Sequence, residues 1–149
     1  MAPDLPRLSL EQLRQAATHV ALETPCRLVV LFGSAARAIA GGAEGRAPED
    51  LDLGVLAPTA GTPLDTMAVT NGFIRALGVQ HVDVADLGRA YPLLLMLVAQ
   101  EGVPLFEATP GEFARFASLA VRRYADTRKF RELERHQLQD LARRTPTGR

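Results

Sequence analysis

The run Arg27-Leu-Val-Val-Leu-Phe32 is apolar at every position after its first, and it stops abruptly at Gly33-Ser34. Side chains along a strand alternate between faces, so a run that does not alternate in polarity must be covered on both sides. It therefore predicts a central strand, and a central strand needs neighbouring strands and helices above and below it. The rest of the chain supplies them.

Ser9 followed by Gln12 is a capping-box pattern, and Leu10, Leu13, Ala16, Ala17 and Val20 recur at helical spacing, which predicts a helix over about 9–23. After Gly33-Ser34, the residues Ala35 to Ile39 suit a short helix, and Ala40 to Glu49, with Gly41, Gly42, Gly45 and Pro48, reads as a flexible loop. Leu51 to Leu56 is a second strand. Thr62-Pro63-Leu64-Asp65 supplies an N-cap, a proline for the first helical position and an acid for the first turn, opening a helix that runs to Leu77 and stops at Gly78. Val79 to Leu87 is a third strand, Pro92 to Gly102 a helix, and Pro104 to Glu107 a short fourth strand. Thr109-Pro110-Gly111-Glu112 repeats the capping logic and opens a long last helix to about Leu141, followed by the tail Thr145 to Arg149. The expected fold is α/β (α+β): a small mixed sheet of three or four strands flanked by helices. Residues 1–109 form the core, and 110–149 add a helix and tail to the same single domain.

Composition narrows the function classes. Seventeen basic and seventeen acidic residues cancel, which argues against a general nucleic-acid-coating role. The cancellation hides an asymmetry: residues 1–109 hold twelve acids and seven bases, whereas 110–149 hold five and ten. Cys26 is the only cysteine, so no internal disulfide forms, and its place at the head of an apolar run makes it a small buried hydrophobe. No signal core or membrane span is apparent, and the chain reads as cytoplasmic.

The candidate chemistry lies in Asp50-Leu51-Asp52-Leu53. Strand alternation projects Asp50 and Asp52 from one side while Leu51, Leu53 and Val55 enter the core. Two carboxylates on one face repel, and a cation between them relieves the repulsion. Mg²⁺ suits such a pair, since it takes a few carboxylate oxygens and completes its octahedron with water and phosphate. His81-Val82-Asp83-Val84-Ala85 has the same phase, so if the two strands are neighbours Asp83 completes a three-carboxylate cluster. Such a cluster can hold two metal ions about 3.5–4 Å apart, the arrangement that steadies attacking and leaving oxygens in phosphoryl or nucleotidyl transfer. Asp86, of opposite phase, is assigned a capping role, and His81 is an exposed strand residue without catalytic duty. Gly33 lets the backbone approach a ligand closely, and the helix after it offers unpaired N–H groups and the Ser34 hydroxyl to a phosphate. Each part alone is commonplace; an Asp-x-Asp is usually solvated surface and a Gly-Ser usually a plain turn.

In this order the parts resemble the nucleotidyltransferase signature of the DNA polymerase β superfamily. Val82-Asp83-Val84-Ala85-Asp86-Leu87, the helix from Pro92 ending Glu101-Gly102, Pro104-Leu-Phe-Glu107 and Arg123-Tyr124-Ala125-Asp126 extend the likeness to the minimal nucleotidyltransferases of the MntA antitoxin family. The resemblance spans roughly residues 10–130. It implies an antitoxin that pairs with a HEPN-domain ribonuclease toxin, HepT, and inactivates it by transferring AMP from ATP to a toxin tyrosine. Carried over by motif, Gly33 and Ser34 bind the triphosphate, Asp50 and Asp52 coordinate Mg²⁺, and Asp83 ligates the catalytic metal and helps deprotonate the tyrosine hydroxyl. Arg37 occupies the arginine position of the family's Gly-Ser-x-Ala-Arg motif, where it would neutralise phosphate charge. Three departures stand out: a longer spacing between Ser34 and Asp50, owing to the glycine-rich loop, Ala38 where glycine is common, and Glu49 where serine is common.

The last helix carries a stripe of Phe113, Phe116, Ala120, Tyr124 and Thr127, continued imperfectly by Phe130, Leu133, Leu138 and Leu141. Its first half is expected to pack on the core. The charged second half offers a docking surface for a partner protein; direct nucleic-acid binding is not expected, because no aromatics are interleaved for base stacking. Two alternatives stay open: a small-molecule nucleotidyltransferase, and a non-catalytic antitoxin that acts by steric occlusion.

Overall fold

A computed structural model of the chain describes residues 8–42 and 50–144. Most of the expected loop Ala40–Glu49, including Glu49 itself, and the tail from Thr145 lie outside the described residues. The elements run α1 (Leu10–Glu23), β1 (Leu28–Phe32), α2 (Gly33–Ala40), β2 (Leu51–Leu56), α3 (Thr66–Leu77), β3 (Val82–Asp86), α4 (Pro92–Glu101), β4 (Val103–Glu107) and α5 (Glu112–Arg144).

The four strands form one mixed sheet in the order β3-β2-β1-β4. β1 is antiparallel to both β2 and β4, while β2 and β3 are parallel. The apolar β1 is thus internal, as its sequence requires, and Pro104, which has no N–H to donate, sits on the edge strand β4. One face of the sheet presents Val29, Leu31, Leu51, Leu53, Val55 and Val82 to α1 and α3, and this cluster holds most of the core. The other face presents Leu28, Val30 and Leu87 to Leu95 and Val98 of α4 and to Phe116 and Ala120 of α5.

The capping box of α1 forms as expected: Ser9 accepts from the Gln12 amide at 3.1 Å, and the Ser9 amide donates to Gln12 Oε1 at 2.9 Å. The start of α3 differs. Thr62 does not cap it; its hydroxyl pairs with that of Thr59 at 2.7 Å in a preceding turn. The cap is Asp65, whose carboxylate accepts from the Ala68 amide at 3.0 Å, so Pro63 lies outside the helix. Gly78, at φ 67°, ends α3 in the left-handed conformation that glycine adopts without steric cost. β3 begins at Val82 rather than Val79, because pairing with β2 starts only where Leu51 meets Val82; Val79 is buried ahead of the strand. The start of α5 is likewise capped from a residue other than Thr109. Glu107, at the end of β4, accepts from the Phe113 amide at 3.1 Å.

At 33 residues α5 is unbroken and about 50 Å long. Only Phe116 and Ala120 of it are buried, while Phe130 and Leu138 are 70% and 66% exposed. Cys26 is buried, and that burial pushes its thiol up to about 11, which leaves it protonated and inert near neutrality. No described helix is long and apolar enough to cross a membrane.

Candidate functional site

The site forms where β1 ends and β2 and β3 begin. Because β1 and β2 are antiparallel, the last residue of β1, Phe32, lies beside Asp52 near the start of β2. Because β2 and β3 are parallel, Asp52 lies beside Asp83. Adjacent strands are about 4.8 Å apart, so residues paired in register with side chains on the same face are close neighbours. Asp52 and Asp83 project from the face opposite the main core, since Leu51, Leu53 and Val82 between them are buried in it. The alternation read from sequence holds on both strands.

Gly33 follows Phe32 at once, with φ 74°, and opens α2. A Cβ at this position would collide with the Asp52 carboxylate. Glycine is therefore needed here twice over, for a backbone region that other residues enter only under strain and for a contact that leaves no room for a methyl group. No side chain caps the N-terminus of α2, whose first turn also carries the exposed Ser34. The helix start, with its backbone donors and the positive end of its dipole, thus lies next to the Asp52 carboxylate.

Asp50 is exposed and sits immediately before β2, in phase with Asp52. The strand start is anchored beside it by the Leu51 amide, which donates to the His81 carbonyl at 3.1 Å. His81 itself is exposed and lies just ahead of β3. Arg37 lies one turn along α2 from Gly33. Its guanidinium donates to Glu101 Oε2 at 2.9 Å, joining α2 to the end of α4. Arg37, whose motif position points to phosphate, is thus held by a carboxylate 64 positions away, a partner that no local spacing encodes. Asp86 caps its own turn, accepting from the Gly88 amide at 2.9 Å, as its opposite phase suggested.

The electrostatics identify Asp52 as the centre of the group. Its carboxyl is held above the ordinary 3.8, first by burial, then by the negative charges of Asp83 and Asp50, with Arg37 acting in the opposite direction. A carboxylate that is costly to ionise, beside two others, attracts a hard cation. Among the described residues no three of His, Cys, Asp and Glu are gathered tightly enough to hold a metal ion as they stand. The donor chemistry nonetheless fits Mg²⁺, which needs only one or two protein carboxylates when phosphate and water supply the rest, and the neighbouring Asp52 and Asp83 provide two.

No protein-family model and no curated protein matches the chain. Solved structures do. A chain in the complex described as tri-AMPylated Shewanella oneidensis HEPN toxin with MNT antitoxin is similar at 22% identity and TM-score 0.64, over 87% of this chain and 98% of that one. A toxin–antitoxin structure with AMP-PNP gives 24% identity and TM-score 0.64, over 85% and 98%. The MntA–HepT toxin–antitoxin structure gives 19% and 0.62, over 85% and 97%. Identities this low establish shared architecture, and the chain has the α+β fold of these MntA neighbours: a four-stranded mixed sheet, helices on both faces and a long C-terminal helix.

Proposed function

We propose that the chain is a Mg²⁺-dependent nucleotidyltransferase that serves as an antitoxin, moving AMP from ATP to a tyrosine of a cognate HEPN-type ribonuclease toxin. The observation that carries this reading is the pairing of Asp52 with Asp83 across β2 and β3, directly against the Gly33 turn. Support comes from the shared fold, which includes a complex whose toxin is tri-AMPylated and another holding AMP-PNP.

In this reading Gly33, Ser34 and the first turn of α2 seat the triphosphate, and Asp50, Asp52 and Asp83 are the residues that would hold magnesium. Bound there, magnesium would offset the charge of the phosphates and of the crowded carboxylates. Asp83 accepts the tyrosine hydroxyl proton as the phenolic oxygen attacks the α-phosphorus. A new oxygen–phosphorus bond forms, the bond to the β-phosphate bridge breaks, and pyrophosphate leaves with the electron pair. Arg37, held by Glu101 on the rim, sets the position of α2 and tempers the negative potential at Asp52.

The test is transfer of label from α-labelled ATP to a candidate HEPN-type toxin, with magnesium present. Labelled toxin tyrosine is the expected result; an unlabelled toxin, alongside an active control transferase, would overturn the reading. Neutralisation of the toxin by a chain carrying both Asp50→Asn and Asp52→Asn would instead identify a steric antitoxin.

A further inference from the structure

A cavity of about 370 Å³ lies at the end of the sheet away from the aspartates. Its lining includes Arg27, just before β1, together with Leu56 at the end of β2 and Leu87-Gly88 just after β3. Along these strands it is four or five residues from Asp52, Asp83 and Phe32, or about 13–16 Å. It is therefore separate from the aspartate site and independent of the function proposed for it.

One wall is apolar, made by Leu56, Leu87, Leu95 and Phe116. The other is cationic. Arg115, Leu119 and Arg123 are spaced four apart on α5 and so share one ridge, which sets two guanidinium groups on the cavity beside that of Arg27. Among the described residues Glu112 is the only carboxylate in the lining, and it pairs with Arg115 at 3.3 Å. Arg27 and Arg123 have no ion-pair or hydrogen-bond partner for their side chains among the described residues, and Arg27 Nε is a fully buried donor with nothing to donate to. Buried donors in folded proteins are nearly always bonded, so the unpartnered Nε singles out Arg27 as a side chain whose hydrogen-bonding capacity the fold itself leaves unmet. Three arginines against one acid leave two positive charges in excess, and the planar guanidinium fork matches phosphate oxygens.

We propose that this cavity binds a small phosphomonoester with a flat apolar body, the class of a mononucleotide. The phosphate sits on Arg27 and Arg123, and the body lies against Leu95 and Phe116. A cavity of this size is within the range of small-molecule sites.

Amide NMR of the full chain, titrated without divalent metal with AMP, adenosine and inorganic phosphate, tests the proposal. AMP should give saturable shifts at Gly61, Gly88 and Leu119. Adenosine, which lacks the phosphate, and phosphate, which lacks the body, should each bind at least about tenfold more weakly. Arg123→Gln, on an exposed helix face, and Arg27→Met should each weaken AMP binding about tenfold while spectral dispersion is retained. Shifts confined to the Gly33–Asp52 end, equal affinity for phosphate and AMP, or binding undiminished in Arg123→Gln would each overturn it.

Discussion

The two faces of the sheet are made by the same strands and follow different rules. On one face Val29, Leu31, Leu51, Leu53 and Val55 are completely buried beneath α1 and α3. On the other, the alternate positions of β2 and β3 hold Asp52, Gly54, Asp83 and Ala85, and apolar cover from α4 and α5 begins only toward the far end. Strand alternation lets one segment invest in stability and chemistry at once, since neighbours in sequence face different environments. The first face fixes the strands so firmly that the second can tolerate mutually repelling carboxylates.

This contrast can be broken by substituting neighbours. On the proposed function, Asp52→Asn should lower AMP transfer on the order of a thousandfold, because it would remove charge that organises the transferring phosphate, yet leave the protein folded. Single-turnover transfer and a thermal melt measure the two effects; retained activity would remove Asp52 from the chemistry. Its neighbour Leu53→Ala should do the reverse, costing about 2–5 kcal/mol of stability in urea unfolding by opening a cavity in the sealed face. Gly33→Ala lies where the faces meet. It should cost about 1–3 kcal/mol through the positive φ alone, and activity should fall as well because the methyl group displaces the Asp52 carboxylate.

A subtler effect concerns pH. The native Asp52 carboxyl sits above its ordinary 3.8, so the native state holds that proton at pH values where the unfolded chain has released it. Stability associated with this group is therefore full below 3.8 and is lost as pH rises through the native value. Measured without metal, Asp52→Asn should become progressively more stable relative to the parent from pH 3 toward neutrality, and added magnesium should narrow the gap. Parallel pH profiles would mean that Asp52 is not strained. The smallest effect is expected far from both faces: Leu138→Ser, on the exposed half of α5, should change stability by less than about 0.5 kcal/mol.

Much of this was legible because it is local. Apolar runs, helical periods and the Gly, Pro and capping signals between them gave the order and type of every strand and helix, though α3 and β3 begin later than expected; Gly33 and Gly78 marked their turns, and the phase of Asp50, Asp52 and Asp83 was readable from alternation alone. The misplacements were also local in kind. Thr62 and Asp65 both suit an N-cap, and which of them meets a free amide depends on where the chain enters the helix. Thr109 was displaced as cap of α5 by Glu107, a residue from the preceding strand.

What the sequence by itself determined is the inventory: a buried strand closed by Gly-Ser, two acid-bearing strands of matching phase, and a basic last helix, all set by periodicities of two or 3.6 residues. Only the tertiary structure decided which strands are neighbours. The parallel pairing of β2 and β3 sets Asp52 beside Asp83, Arg37 finds Glu101 across the fold, and Arg27 comes to share a cavity with Arg115 and Arg123 on α5. Contacts such as these close long loops, and the loop-closure entropy is offset by burial summed over the whole core. No local spacing encodes that sum.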